Sequence, residues 1–341
     1  MKKSLIVVSK LIAAVGFASV GMSCFAQGSD KWESEILAAA RQEGKVVIYN
    51  GSSPGLTDVV AKAFTDKYGI AIERLDARPV EVRERIRTEQ SAGRFVGDIT
   101  ISITETLKLQ NTTGVLQPHG ALPSLARVRD DLAGEGTVLP FAMVRWAILL
   151  NNRLVPPGQE PRTWSDLLDP KWKGKILMDD PRTNGGGYFL FSATYKAFGR
   201  DFHERLAAQK PVLSSNVSLN ERRVVQGEYA LYLPQVVPNL SRLKGLPIRA
   251  ISPEEGLPYG VSGAAMLTKA PHPNAARLFM EFLLSDEGQE AVATRGYGSV
   301  TGLVSKKLPP ALSQLVQAPL LGTASSADAD KMLKLAAEIY R

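Results

Sequence analysis

The segment Asp180–Gly187 places an arginine and three consecutive glycines in front of a helical pattern, and it is the strongest local signal for binding chemistry in the sequence. Glycines at a helix start are costly unless the backbone has to approach another group closely. A helix N-terminus carries about half a positive charge, and an arginine adds a planar fork of donors for a carboxylate or phosphate. We therefore predict an anion site here, with a flexible surface turn as the alternative. Its residues would be Arg182, Asn184, Gly185, Gly186 and Gly187.

Polar groups also follow two predicted strands in the first half of the chain. One strand ends, and a helix opens, at Asn50, Gly51, Ser52 and Ser53. Backbone N–H groups and two hydroxyls there would be free to bind a ligand. The alternative is that Ser53 only caps the helix. Ser102 and Thr104 end another strand, and alternation places both side chains on one face of it.

Arg145 is a lone charged residue in front of the apolar run Ala147–Leu150. A charge that is buried beside such a strand needs a compensating partner. That partner is either a structural carboxylate or the charge of a bound ligand, and the sequence leaves both open.

The elements that would hold these residues alternate between strand-like and helix-like patterns, which is typical of a layered α/β fold. In the helix after Ser53, apolar residues recur every three or four positions, and Gly69 ends it. A similar block begins near Val144 without a flexible linker, so we predict two α/β lobes joined by several short crossings. The predicted strands are 45–50, 70–75, 98–103, 145–152, 228–233 and 263–270, with helices at 54–68, 80–92, 188–198, 273–284, 286–295 and 327–340.

The first 26 residues have the pattern of a secretory signal peptide. Three lysines precede an uncharged apolar stretch, Leu11–Met22, and small residues lead up to Ala26. We predict cleavage after Ala26 and export to the periplasm. The alternative is a lipoprotein that is acylated on Cys24.

Composition excludes several classes of function for the exported chain. Removing the signal peptide takes away three lysines and no acid, so the net charge falls from +7 to +4, without the basic stripe that nucleic-acid binding requires. Cys24, the single cysteine, falls inside the predicted signal peptide, so the exported chain has none, and thiol catalysis, disulfides and thiolate metal sites are excluded. The motifs of serine hydrolases, zinc proteases and nucleotide-binding loops do not occur, and His119, His203 and His272 lack the spacing of metal ligands.

Three stretches, Val46–Ile70, Thr163–Gly187 and Gly260–Thr301, resemble the periplasmic substrate-binding proteins of ABC importers. The most similar group contains binders of ferric iron, putrescine-like solutes, phosphonates and sugar phosphates. The resemblance implies a type II periplasmic binding protein fold, with two α/β lobes, a two-strand hinge and a ligand cleft between the lobes. It implies a monomer without cofactors, which delivers its solute to an ABC permease. The expected ranges are 1–26 for the signal peptide, 27–140 and 256–310 for lobe 1, 141–255 for lobe 2, and 311–341 for C-terminal helices packed on lobe 2.

The resemblance also identifies Asn50–Ser53 with the first ligand loop of the family, and it adds Gln235 to the expected site. Ferric binders carry adjacent tyrosines where this chain reads Leu233-Pro234-Gln235. Tyr229 and Tyr232 are three residues apart, and a strand would send them to opposite faces. The expected solute is therefore a small anion, namely a carboxylate, phosphonate or sugar phosphate. The alternatives are a ferric-iron-binding protein and a secreted enzyme on the same scaffold.

Overall fold

The structure is a computed structural model that describes residues 31–132 and 136–341. The predicted signal peptide and Cys24 lie outside these residues. The α-helices are α1 (residues 31–43), α2 (Pro54–Tyr68), α3 (Pro79–Ser91), α4 (Thr104–Asn111), α5 (Gly186–Ala208), α6 (Val217–Gln226), α7 (Pro273–Leu284), α8 (Asp286–Thr294), α9 (Pro310–Gln317) and α10 (Ala329–Ile339).

The β-strands are β1 (Lys45–Asn50), β2 (Ala71–Asp76), β3 (Ile99–Ile103), β4 (Leu116–Gln117), β5 (Val138–Asn151), β6 (Ile176–Asp179), β7 (Val212–Ser214), β8 (Leu231–Val236), β9 (Ile248–Ile251), β10 (Leu257–Leu267) and β11 (Leu320–Gly322). Eight of them hydrogen bond in the order β2-β1-β3-β10-β5-β8-β6-β7, while β4 and β11 pair with β10, and β9 pairs with β5. The outer strands pair in parallel, whereas β10 and β5 run antiparallel to their neighbours at the centre.

Two large hydrophobic clusters divide the described residues into two lobes. The cluster of lobe 1 includes Phe64, Phe279 and Phe282, whose rings meet edge to face. The cluster of lobe 2 includes Trp164 and Phe191 and receives α10 through Met332 and Ala336. Strand β5 is buried along its whole length and pairs with β10 in lobe 1 and with β8 and β9 in lobe 2. The predicted two-lobed α/β architecture with two strands in the hinge is therefore confirmed.

Most predicted elements are present, and the exceptions have local physical reasons. Strand β5 starts seven residues before the predicted Arg145, because the register shift opposite Ser262 and Gly263 accommodates Pro140 inside a strand. The helix predicted over 188–198 does break at Gly199, whose φ of 73° and ψ of −169° are not helical, and a second helical segment then continues α5 to Ala208. Strand β8 lies three residues later than predicted, because Glu228 and Tyr229 belong to the turn before it.

Within the described ranges, none of the helices has the length and apolar character required to cross a membrane.

Candidate functional site

Arg145 lies in the hinge strand β5 with only 6% of its surface exposed. Its Nε and Nη1 atoms are buried and have no hydrogen-bond partner, and no carboxylate of the described residues forms an ion pair with it. Burial, reinforced by the charge of nearby Arg129, lowers the pKa of Arg145 to about 10, so the guanidinium stays charged at neutral pH. The hinge therefore contains a buried positive charge that lacks a partner.

The surroundings of Arg145 come from three separate segments. Tyr259 lies directly opposite it in the register of β5 and β10. The backbone of Gly298 pairs with Met143 and passes so close to the guanidinium that a Cβ atom at this position would collide with Nη1. Arg129 is itself paired with Asp131, at 2.8 Å between Nη2 and Oδ2. Arg129 is therefore neutralised locally, and Arg145 is not.

A cavity of about 120 Å³ adjoins this part of the hinge and is bounded by both lobes. Lobe 1 contributes Thr104 and Glu105 from the start of α4, and the hinge contributes Tyr259 and Val261. Thr323, which follows β11 on the side of lobe 2, closes the cavity. Thr104, one of the residues predicted from sequence, thus lies at the interlobe cavity. Tyr259, the residue opposite Arg145, lines the same cavity.

The predicted loop Asn50–Ser53 lies beside the end of β3, because the Gly51 N–H donates to Ile101 O at 2.8 Å. Asn50 is fully buried: its Nδ2 donates to Asp76 Oδ1 at 2.5 Å, and its Oδ1 accepts from Ser52 N at 3.1 Å. Ser53 precedes α2, but its side chain makes no capping hydrogen bond. Asn50 therefore shapes the loop, whereas the hydroxyl of Ser53 is not used as a cap.

The predicted loop at the start of α5 brings its arginine to a different partner from the one expected. Arg182 donates to both carboxylate oxygens of Asp180 at 2.8 Å, and its Nη1 donates to Tyr340 O at 3.1 Å. The Arg182 guanidinium in turn holds the pKa of Asp180 below its usual range. The charge of Arg182 is already compensated within the loop, and Asn184 and Gly185 are exposed.

The other two glycines of this loop are held against lobe 2 and the hinge. A Cβ atom on Gly187 would lie 2.5 Å from the carbonyl oxygen of Asp179, so the backbone can pass only without a side chain. A Cβ atom on Gly186 would lie 2.9 Å from Asp179 Oδ2 and 3.6 Å from Trp146 Nε1. Because Trp146 follows Arg145 in β5, the N-terminus of α5 reaches the hinge at this point.

Gln235 and Ser102, the remaining predicted residues, are buried. Gln235 Nε2 donates to Glu221 Oε1 at 2.9 Å, and Glu221 is also paired with Arg242. The Oε1 atom of Gln235 has no partner. Ser102 is 3% exposed and lies opposite Gly263 of β10. Gln235 thus belongs to a polar network inside lobe 2, whereas Ser102 lies within the sheet of lobe 1.

The two tyrosines considered as metal ligands are engaged elsewhere. The Tyr232 hydroxyl is buried and donates to Asp179 Oδ1 at 2.8 Å, and Asn220 Nδ2 donates to the same oxygen at 3.1 Å. Burial raises the pKa of Asp179 to about 6. Tyr229 accepts a hydrogen bond from Arg223. Across residues 31–132 and 136–341, no three His, Cys, Asp or Glu side chains cluster as metal ligands would.

Sequence reasoning did not identify Tyr259, Glu105 or Phe189 as parts of this region. Phe189 stacks on Trp146 with ring centroids 4.8 Å apart. The sequence did contain one signal for Tyr259, which is its place in an apolar strand. Its partner Arg145 is 114 positions earlier in the chain, however, and the pairing of the two residues depends on the sheet register. Glu105 resembles an ordinary acidic residue in a helical first turn.

Comparisons with known proteins agree with this architecture. The model of a family described as bacterial extracellular solute-binding protein matches residues 98–327, more than half of the chain. Iron uptake protein A1 of Synechocystis is 22% identical over 311 residues, covering 84% of this chain and 85% of that protein. Iron-bound HitA from Pseudomonas aeruginosa superposes with a TM-score of 0.70 at 23% identity, over 86% of this chain and 99% of that chain. A periplasmic thiamin binding protein superposes with a TM-score of 0.67 at 19% identity, over 87% and 96%.

Proposed function

The chain belongs to the bacterial extracellular solute-binding protein family, whose members serve ABC importers, and we propose that this member is the receptor for a small anionic solute. The solute class is a carboxylate, a phosphonate or a sugar phosphate. The protein would bind it as a monomer between the two lobes in the periplasm and present the closed form to an ABC permease. A population shift from open to closed lobes would connect binding to recognition by the permease.

The unpaired charge of Arg145 is the observation that supports this proposal. Burying an ionised group without a partner is costly, and a protein retains such a group where a ligand supplies the missing charge. Arg145 lies in a strand that both lobes share, so an anion bound there would contact the region that bends during closure. The sequence left a structural carboxylate and a ligand as possible partners of Arg145. No carboxylate of the described residues pairs with Arg145, which favours the ligand.

The other predicted residues would act around that charge. Thr104 and the hydroxyls of the Asn50–Ser53 loop are placed at the ends of strands in lobe 1, where they would donate hydrogen bonds to the solute. The N-terminus of α5 would contribute backbone N–H groups from lobe 2. Arg182 would hold the loop in shape through Asp180 instead of contacting the solute, which narrows the role first expected of it.

Titration calorimetry tests the proposal with a panel of inorganic phosphate, methylphosphonate, glycerol 3-phosphate and succinate. The wild type should bind at least one of these, and Arg145→Gln should weaken binding by roughly ten- to a hundredfold because a charge-assisted contact is lost. Arg205→Gln is the matched control, since it removes the same charge from an exposed position on α5. Equal affinity of the Arg145→Gln protein and the wild type, with both folded by melting curves, would contradict the role of Arg145. Recovery of the solute unchanged after incubation would indicate a receptor, whereas conversion of the solute would indicate an enzyme.

Ferric iron is the second candidate, because the names of Iron uptake protein A1 and iron-bound HitA refer to iron. The engagement of Tyr232 with Asp179 and of Tyr229 with Arg223 argues against a tyrosinate site. Adding ferric citrate should therefore produce no visible charge-transfer band. An intense band that disappears in Tyr232→Phe would establish the iron receptor instead.

A further inference from the structure

A carboxylate of lobe 1 grips the backbone of lobe 2 at the edge of the interlobe cavity. Glu105 lies in the first turn of α4, and Ser326 opens a short 3-10 turn, Ser326–Asp328, in the segment before α10. Glu105 Oε2 accepts a hydrogen bond from Ser326 N at 3.0 Å and another from Ser326 Oγ at 3.1 Å. These two bonds join segments that are 221 residues apart in the chain.

Both sides of this contact are prepared for it. The first N–H groups of a helical turn lack partners within the turn. The side chain of Ser325 accepts from Ala327 N, and the N–H of Ser326 is left for Glu105. The Tyr188 hydroxyl donates to Ser325 O at 2.9 Å, which fixes this segment on α5 of lobe 2. Lobe 2 therefore positions this segment through contacts that do not involve Glu105.

Glu105 is equally well held in lobe 1. Its Oε1 accepts from Lys108 Nζ at 2.9 Å, so Lys108 orients the carboxylate along α4. Burial would raise the pKa of Glu105, but the Ser326 N–H and the Lys108 ammonium outweigh burial and bring the pKa below its ordinary value. Glu105 is therefore ionised at neutral pH, when its hydrogen bonds are strongest.

We propose that Glu105 and Ser326 form a clasp that holds the lobes closed over the cavity and sets how long a captured solute stays. Glu105 and Thr323 both line the cavity, so the clasp spans it from one lobe to the other. Opening the lobes about β5 and β10 would separate α4 from the segment before α10 and break both hydrogen bonds. The clasp depends on the two-lobed receptor architecture but not on the solute being an anion.

The clasp can be tested in the ligand-free protein with variants that remove one or both of its hydrogen bonds. Ser326→Pro removes only the N–H donor and the hydroxyl, and its backbone is compatible because Pro is tolerated at the first position of a helical turn. Ser325 before it is already extended, with φ −123° and ψ 137°, as a residue before proline must be. Ser326→Ala removes the hydroxyl alone. Glu105→Gln keeps an acceptor and loses the charge, whereas Glu105→Ala loses both.

The readout is the distance between the lobes, measured by electron paramagnetic resonance with one spin label on each lobe. Lys62→Cys on α2 and Arg205→Cys on α5 place the labels on exposed positions, and the sequence has no cysteine other than Cys24. Glu84→Ala is the matched control, because it removes an exposed carboxylate of lobe 1 that pairs with Arg87 inside α3 and leaves both clasp bonds. Since one charge-assisted hydrogen bond corresponds to roughly tenfold in an equilibrium constant, Glu105→Ala and Ser326→Pro should raise the open-to-closed ratio by about tenfold or more.

Ser326→Ala and Glu105→Gln should give smaller increases, and Glu84→Ala should leave the distance distribution close to that of the wild type. Distance distributions that are identical in the wild type, Glu105→Ala and Ser326→Pro would overturn the clasp, whatever the solute proves to be. Failure of Arg145→Gln to affect solute binding would instead contradict only the proposed anion. If Glu105→Ala does not fold, the milder pair Ser326→Ala and Glu105→Gln decides the question by the same measurement.

Discussion

The sequence singles out two arginines as candidates for contacting an anion, and their surroundings differ completely. Arg182 belongs to a predicted anion site, whereas for Arg145 a structural carboxylate is the alternative. Arg182, in the loop before α5, is 38% exposed at its side chain and forks onto Asp180. Arg145, in the hinge strand β5, is buried and has two unpartnered donor atoms. The same residue type thus serves to shape a loop in one place and leaves a charge uncompensated in the other.

The two arginines differ in whether the neighbouring chain supplies a carboxylate. The chain supplies Asp180 two residues before Arg182, so a surface turn can satisfy the arginine locally. Arg145 is followed by apolar residues in a strand, and its cross-strand neighbour Tyr259 has no charge at neutral pH. A buried charge in a regular strand therefore depends on what lies beyond its own element, and here the neighbour Tyr259 lines the interlobe cavity.

Arg145→Met gives the strongest test of this contrast, because affinity and stability should change in opposite directions. Binding of the cognate anion should fall by roughly ten- to a hundredfold. The free energy of unfolding of the ligand-free protein should rise by on the order of 1 kcal/mol or more, since an unpaired buried charge is replaced by an apolar chain of similar length. Calorimetry and urea unfolding measure the two effects. A large loss of stability would mean that Arg145 has a structural partner.

Neighbouring carboxylates provide a second contrast, since the pKa of Asp179 is raised to about 6 and that of Asp180 is lowered. The folded protein binds a proton on Asp179 more tightly than the unfolded chain, so this residue reduces stability as the pH rises from about 4 to 6. Asp179→Asn should therefore stabilise the protein at pH 8 by up to about 3 kcal/mol and have little effect at pH 4. Urea unfolding at the two pH values measures this, and a benefit that does not depend on pH would contradict it.

The two glycines at the start of α5 differ in what a side chain would meet, namely backbone at Gly187 and side chains at Gly186. Gly187→Ala should destabilise the protein by about 1–3 kcal/mol, because the new methyl group would overlap the carbonyl of Asp179. Gly186→Val should weaken solute binding by crowding the approach to α5, while the net charge stays the same. Gly174→Ala is the opposite case, because Gly174 has a φ of +70° but no neighbour near its Cβ position; it separates backbone strain from the steric overlap at Gly187, whose φ is not positive. Thermal melting of the three variants with calorimetry of Gly186→Val measures both effects.

Arg182→Met should have the smallest effect of this series. The pair with Asp180 is partly exposed, so its loss should cost under about 1 kcal/mol of stability. Solute affinity should change by less than about threefold, because the chain already compensates this charge. A tenfold loss of affinity would return Arg182 to the binding site and remove the contrast with Arg145.

Local patterns predicted most of the fold. Helix α2 begins at Pro54 and is followed by Gly69 in the left-handed conformation, with φ 71°, as its sequence indicated. Helix α7 has the predicted bounds, Pro273–Leu284. These features depend on residues a few positions apart. The ranges assigned to the lobes and the individual site residues stay predictions.

The contacts that sequence reasoning could not reach join distant segments. Arg182 donates to the carbonyl of Tyr340, 158 positions later, and Glu105 meets Ser326 across 221 positions. Gln235 was expected at the solute, but its amide is bound to Glu221 of α6. Neither spacing nor periodicity contains information on such pairs, because they form only when the lobes pack.

The position of β10 has a consequence for how the chain matures. This strand lies between β3 and β5, so the sheet of lobe 1 remains split into two pieces until residues 257–267 have been synthesised. The sheet of lobe 1 therefore cannot be completed until more than two hundred residues after the start of β1 have been synthesised. Such a delay favours export of an unfolded chain, because a lobe that cannot complete its sheet early remains unfolded during translocation.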